Sequence, residues 1–280
     1  ALTSITIKHE GKNTALSSLR VAGGSTTELT ATGWYYGNKV YSADTSFTWS
    51  VSDALGTIDA DGTFTAVQTG RDVTGTLTVT YGETSCTLPV TVGSSQPFDD
   101  TKGHWAESCI TELYYAGTLQ GSEKNGKLYY RPDASMTRQE FIVAMMRYLG
   151  TDLSAYASVQ LPFDDSGSIA SWAKSAMQAA YQLGYLTGSK TNGKLLAKPG
   201  STISRQEAMT ILSRTKDFAD ADLNVLSAFS DSGKIADWAR TALAQMTQQK
   251  IISGSKGKLN PTGKVTRAEV AKMLYMLSES

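Results

Sequence analysis

The sequence predicts a multidomain chain, an all-β sandwich followed by an all-α region built from three tandem repeats. Two observations lead there. Up to about Ser95, polar and apolar residues alternate with period two, as they do along a half-buried strand. From Pro97 onward the apolar spacing becomes helical, and similar blocks recur at long, nearly constant intervals.

The strands come first. SITIKHE, TELTATGW, SFTWSVS, GTFTAV, GTLTVTYG and CTLPVTVG are rich in Thr, Val and aromatic residues, and turn signals (AGGS, YGNK, DALG, DADG, YGET) separate them. In DADG, Asp and Gly tolerate the positive φ that a tight turn demands. So many strands within residues 1–94 predict two packed sheets, with Trp49 as the core aromatic. The run FTWSVSDALGTIDADGTFTAV, followed by GTLTVTYG, resembles the bacterial immunoglobulin-like domains of surface proteins. The resemblance covers most of residues 1–94 and implies a fold, not an activity; no catalytic constellation lies there.

GSSQP, residues 93–97, is expected to be a short flexible joint. Three blocks follow, opening PFDDTKGHWAES, PFDDSGSIASWAKS and AFSDSGKIADWART. Each runs through an amphipathic helix to a Gly-Ser pair (LQGSEKNGK, LTGSKTNGK, ISGSKGK). Each then closes on TRQE, SRQE or TRAE and a second apolar helix. The tryptophans at 105, 172 and 238 recur at intervals of 67 and 66, and the arginines at 138, 205 and 267 at 67 and 62. The expected divisions are 1–94, 95–157, 158–223 and 224–280.

The pattern of F-x-D, a Trp-Ala helix start, a Gly-rich loop and T-R-A-E resembles the S-layer homology domain, in three copies over residues 97–280. That resemblance implies a pseudo-threefold spindle within one chain, each repeat giving one long helix to a central bundle. It also implies grooves between repeats that bind cell-wall polysaccharide. The ligand it implies is a secondary wall polymer carrying pyruvylated N-acetylmannosamine, and the location is extracellular, at the wall or S-layer. Departures from the family pattern are Ser204 for Thr, Gln139 and Gln206 for Ala, and a contracted third loop.

Composition narrows the alternatives. Hydrophobic content of 40% and charged content of 19% are those of ordinary globular protein. No apolar run approaches the roughly 18–20 residues that span a bilayer, so membrane insertion is not expected. Residues 1–94 carry 5 Lys/Arg against 8 Asp/Glu and the remainder 21 against 18, too even for nucleic acid as partner. Two cysteines and two histidines make no metal site, and no cofactor is expected. A Cys109–His104 nucleophile pair lacks an orienting third group; inert, buried thiols are the simpler reading. The chain starts ALTSITIKHE, without Met, as a mature chain or an excised fragment would, and a larger module is expected upstream.

The candidate site residues recur in register. Thr137 with Glu140, Ser204 with Glu207 and Thr266 with Glu269 fit a capping box, which needs no functional explanation. The box leaves Arg138, Arg205 and Arg267 at the first helical position, where the helix dipole disfavours a cation by roughly 0.3–1 kcal/mol. A compensating anion is expected. It could be internal, with Asp100, Asp165 and Asp231 as candidates. It could instead be a ligand carboxylate, held by free helix N–H groups and the guanidinium together; the family resemblance favours the ligand. Trp105, Trp172 and Trp238 have the spacing of a core stripe, the preferred reading, though an indole could also face a sugar ring. Asp100, Asp165 and Asp231 read first as turn residues preparing the next helix, and second as acceptors for sugar hydroxyls. Gly121, Gly188 and Gly254 are expected to supply loop dihedrals closed to other residues and to admit a ligand.

The leading expectation is therefore a non-enzymatic polysaccharide anchor whose several grooves act by avidity. An S-layer lattice subunit assembling through the sandwich is the alternative. A glycosidase would need paired acids flanking a sugar, and the recurring acids here are explained locally.

Overall fold

The structure, a computed structural model, describes residues 2–12, 14–39 and 46–278. The first part holds β1 (Ser4–His9), β2 (Leu19–Ala22), β3 (Thr26–Tyr35), β4 (Asn38–Lys39), β5 (Thr48–Val51), β6 (Gly56–Ile58), β7 (Thr63–Ala66), β8 (Val73–Tyr81) and β9 (Thr84–Gly93). One sheet runs β1–β3–β7–β6, with β4 beside β3; the other runs β2–β9–β8–β5. β2 pairs with β9 in parallel, Leu19 opposite Val90, and the other pairs are antiparallel.

Period-two alternation puts Ile5, Ile7, Leu29 and Phe64 of one sheet against Leu77, Val79, Leu88 and Val90 of the other. Burying each such side chain stabilises by about 1.5–3 kcal/mol relative to leaving it exposed. Trp49 is not the core aromatic. It sits half-buried on edge strand β5, and Phe64, Leu55 and Leu77 fill the centre.

The repeat region consists of α1 (Glu107–Tyr115), β10 (Ser122–Lys124), β11 (Lys127–Tyr129), α2 (Arg138–Tyr148), α3 (Lys174–Gln182), β12 (Ser189–Thr191), β13 (Lys194–Leu196), α4 (Arg205–Leu212), α5 (Asp237–Gln248) and α6 (Arg267–Ser278), with 3-10 turns between. It is not all-α, and that expectation is overturned. β10–β11 and β12–β13 are antiparallel hairpins. Their cause is local: Asn125–Gly126 and Asn192–Gly193 all adopt positive φ, the requirement of a two-residue hairpin turn. In the third repeat Lys256–Gly257 makes the same turn, but the contracted loop leaves only the Ser255–Lys258 bridge. Nor are the second helices long; α2, α4 and α6 have 11, 8 and 12 residues.

The second helix of each repeat packs on the first helix of the next: α2 on α3, α4 on α5, and α6 back on α1. At the centre, three extended segments exchange backbone hydrogen bonds in a closed cycle. Met136 N–H donates to Val265 O (3.1 Å), Val265 N–H to Ile203 O (3.2 Å), and Ile203 N–H to Met136 O (3.0 Å). All three side chains are buried, so the donors have no recourse to water. Among the described residues no helix is long and apolar enough to cross a membrane.

The joint at 93–97 is not free. Tyr115, at the end of α1, donates its hydroxyl to Ser94 O (2.9 Å), and the Arg20 guanidinium of β2 lies 5.4 Å over its ring. Gly93 is required there, since a Cβ would come within 2.3 Å of the Tyr115 hydroxyl. Burial pushes the Tyr115 phenol up to about 12, so it stays a donor at any physiological pH. Tyr115→Ala is expected to release the sandwich from α1. Limited proteolysis within 93–97 should become several-fold faster while circular dichroism shows both parts still folded.

Candidate functional site

The three seams between repeats are built alike. Each second helix starts with a capping box: Glu140 Oε2 accepts from Thr137 N–H (2.7 Å), Glu207 Oε2 from Ser204 N–H (2.8 Å), and Glu269 Oε2 from Thr266 N–H (2.8 Å). The next two N–H groups are claimed by the neighbouring repeat. Arg138 and Gln139 donate to Ser201 O and Pro199 O, Arg205 and Gln206 to Gly263 O and Pro261 O, Arg267 and Ala268 to Ala134 O and Pro132 O. The expected anion seat of free N–H groups is therefore closed, because the first-turn donors hold the ring together.

The arginines differ from one another. Arg138 pairs with Glu207, the capping acid of the next repeat, and Arg205 pairs with Glu269 at 3.1 Å. Asp100, Asp165 and Asp231 are not their partners. Arg267 breaks the pattern: Nε donates to Tyr130 O (2.7 Å), Nη2 to Gln120 O (2.8 Å), and the guanidinium lies 4.5 Å over the Tyr130 ring. Among the described residues no carboxylate pairs with Arg267. Its charge is held by dipoles and a π face, not cancelled by an opposite charge. Tyr130 replies by donating its hydroxyl to Arg267 O (3.0 Å).

Burial alone would raise the Glu207 carboxyl. The Ser204 backbone bond, the Arg138 charge and the Ser204 hydroxyl outweigh it and hold Glu207 below its ordinary 4.5. Burial likewise lowers Arg205, with Glu269 opposing, and Arg205 Nε is buried without a hydrogen-bond partner among the described residues.

Asp165 and Asp231 stand at the N-caps of short 3-10 turns, but their carboxylates, like that of Asp100, are spent elsewhere. Each accepts two backbone N–H bonds from a turn some thirty residues on: Tyr130 and Arg131, Ala197 and Lys198, Leu259 and Asn260, all at 2.7–2.9 Å. The second member of each pair has φ between 52° and 57°, an uncommon conformation that the carboxylate stabilises. Burial works against the Asp231 charge, but its backbone donors outweigh that and hold the carboxyl below its usual range.

The glycines answer to the Phe of F-x-D. A Cβ on Gly121, Gly188 or Gly254 would meet the rings of Phe98, Phe163 or Phe229 at 2.5, 2.6 and 2.8 Å. Only Gly188 and Gly254 also need positive φ, so the shared cause is ring packing.

The tryptophans are not core. Trp105, Trp172 and Trp238 are 62%, 57% and 58% exposed, while Cys109, Ile110 and Leu113 of the same stripe are buried. Trp172 and Trp238 are tied to the seams through glutamine. Gln139 Oε1 accepts Ala170 N–H and Gln206 Oε1 accepts Ala236 N–H, both at 3.0 Å and each two residues before a tryptophan. These glutamines and Tyr130 were missed as candidates, although all three stand where the repeats depart from one another. Cys109 and His104 form no nucleophile pair. Cys109 Sγ donates to Ala106 O and His104 Nδ1 accepts Ala106 N–H, and burial pushes the thiol up.

The architecture defines a repeat-built ring with an exposed indole at each seam. Comparison with known families agrees: the S-layer homology domain matches residues 97–142, 162–209 and 228–271, so the chain carries three tandem S-layer homology domains. Over 207 residues, 72% of this chain, it is 28% identical to an amylopullulanase of Thermoanaerobacterium thermosulfurigenes, and the match covers 10% of that protein. It is 29% identical to Exoglucanase XynX of Acetivibrio thermocellus, over 66% of this chain and 16% of the relative. It is 28% identical to the surface-layer 125 kDa protein of Lysinibacillus sphaericus, over 65% of this chain and 15% of the relative. The chain thus spans under a fifth of these relatives. The repeats mark it as a cell-surface, wall-associated protein.

Two outcomes follow. Glu207 is depressed in the fold, so its contribution is complete above pH 4.5 and is lost as pH falls through its lower folded value. Urea midpoints should therefore drop less steeply below pH 4.5 in Arg138→Met/Glu207→Gln than in the wild type. Gly254 and Gly257 share a φ of 69°, but only at Gly254 would a Cβ meet the backbone, at 2.6 Å from Lys258 O. Gly257→Ala should cost about 1 kcal/mol and Gly254→Ala clearly more, read from denaturant unfolding.

Proposed function

We propose that the three seams bind a secondary cell-wall polysaccharide and so anchor a surface protein to the wall without covalent attachment. The observation that carries this is the exposure of Trp105, Trp172 and Trp238. One exposed aromatic is ordinary, but the same residue at three equivalent positions calls for a common partner. A pyranose ring, apolar on its C–H faces and polar at its edges, fits an indole that cannot be buried by the protein itself. Asp100, Asp165 and Asp231, together with Gly121, Gly188 and Gly254, act by shaping the loops beside the indoles.

An acidic polymer, of which pyruvylated N-acetylmannosamine is the candidate unit, is supported by Arg267. Carboxylates neutralise Arg138 and Arg205, whereas Arg267 keeps its charge at the seam between the third and first repeats. That seam is the one suited to the ligand's carboxylate. The reading is of a binder and not a hydrolase, because Glu140, Glu207 and Glu269 are engaged in caps and the three aspartates in turns.

The test is co-sedimentation with wall sacculi before and after chemical removal of their secondary polymer. Binding should vanish with the polymer. Arg267→Gln should weaken it by roughly tenfold or more, the scale of a charge-assisted hydrogen bond. Arg138→Gln and Arg205→Gln should act mainly on the melting temperature. Equal loss of binding in all three folded variants would overturn the assignment to the third seam, and binding to stripped sacculi would overturn the polymer.

A further inference from the structure

A cleft of about 550 Å³ lies between the sandwich and the first repeat, within the range of small-ligand sites. The sandwich contributes Gln68 and the linker Gln96; the repeat contributes Trp105, Glu107, Ser108 and Thr111. We propose that this cleft is a saccharide subsite for an uncharged pyranose, formed jointly by the two domains and adjoining the third seam at Trp105, the indole that both share.

Three features give the ligand its chemistry. The first is the charge of the lining. Among the described lining residues no lysine or arginine is present, while Glu107 supplies a carboxylate. An anionic sugar is repelled here, as it is attracted at Arg267. The second is the set of polar groups. Primary amides both donate and accept, which matches the two-way hydrogen bonding of sugar hydroxyls, and Trp105 supplies an exposed face for ring C–H groups. Gln68 lies against the Gly24 backbone. Its side-chain carbonyl sits over Gly24, where a Cβ would come within 1.9 Å of Oε1.

The third feature is Thr111. It is 4% exposed, it lines the cleft, and its hydroxyl has no hydrogen-bond partner among the described residues. Buried hydroxyls are normally paired; this oxygen is shut from open space as the side chain stands, and a turn about the Cα–Cβ bond to the other staggered position lets it meet a ligand group in the cleft.

The walls are fixed with respect to each other. Tyr115 bonds Ser94 O, Arg20 stacks on Tyr115, and Ser95 N–H donates to Thr69 O at 3.1 Å. A site held open in this way loses little ordering entropy on binding. The inference builds on the polysaccharide reading, dividing one acidic polymer between a seam that takes its charged units and a cleft that takes its neutral ones.

The experiment is an amide-resolved NMR titration of the full chain with two neutral probes, N-acetylmannosamine methyl glycoside and N,N′-diacetylchitobiose. A glucuronic acid methyl glycoside serves as the anionic counterpart. The neutral probes should shift Ser108, Thr111 and the Trp105 indole N–H, and the anionic probe should not. Gln68→Ala/Gln96→Ala, both exposed positions, should reduce the neutral-probe affinity at least tenfold and leave the melting temperature unchanged. Thr111→Val should reduce it several-fold while filling nearly the same volume. Neutral probes that leave these resonances unmoved, or that bind the double variant as well as the wild type, overturn the cleft. Co-sedimentation with sacculi distinguishes the two readings. Wild-type retention together with an inert cleft sinks this inference alone; neutral-probe binding without retention leaves the cleft standing and sinks the anchor.

Discussion

The closed cycle of hydrogen bonds through Met136, Val265 and Ile203 is the constraint on which the repeat region depends. Each segment both donates and accepts, so no segment can leave without orphaning a buried backbone group on each neighbour. The same geometry brings each capping turn against the loop of the next repeat, which supplies carbonyls to the first-turn N–H groups. Helix ends that elsewhere would wait for water or an anion are consumed here in assembly. An arginine at the first helical position is tolerable in this setting because neighbouring carbonyls and, at two seams, a glutamate offset the dipole.

Three similar seams need not be three equal ones. Tyr130 has no aromatic counterpart at Ala197 or Leu259, and its ring and carbonyl hold Arg267 away from Glu140. One aromatic residue thereby leaves one of the three seam guanidinium groups without a carboxylate partner among the described residues. The polar environment of the chain is therefore uneven: at two seams the arginine has a carboxylate partner, and at the third it has carbonyls and a π face.

Much of this was legible in the sequence, and the omissions have physical reasons. Period-two runs marked β1, β3, β5, β7, β8 and β9, whereas β4 and β6, of two and three residues, are too short to show alternation, and in β2, no shorter than β5 or β7, the alternation breaks at the buried pair Val21–Ala22. The Asn-Gly pairs that build the hairpins stand openly in EKNGK and KTNGK, yet strands of three exposed or half-buried residues carry no apolar pattern. The capping boxes were readable because their partners lie three residues apart. Arg138–Glu207 and Arg205–Glu269 were not, since they join residues 69 and 64 apart. The tryptophans misled for a related reason. Their helical spacing matches a core stripe, but each stands just before or within the first turn, where the chain has not yet settled onto the core.

Closure of α6 onto α1 has a consequence for how the region comes apart. An open array of stacked repeats can fray from either end, one unit at a time, because terminal units have a single neighbour. Here every repeat has two, and the contact that completes the circle joins residues more than a hundred positions apart, as in Tyr130 with Arg267. Such a body has no end from which to unravel. It should yield all at once or not at all, and it cannot finish folding until its last helix has been made.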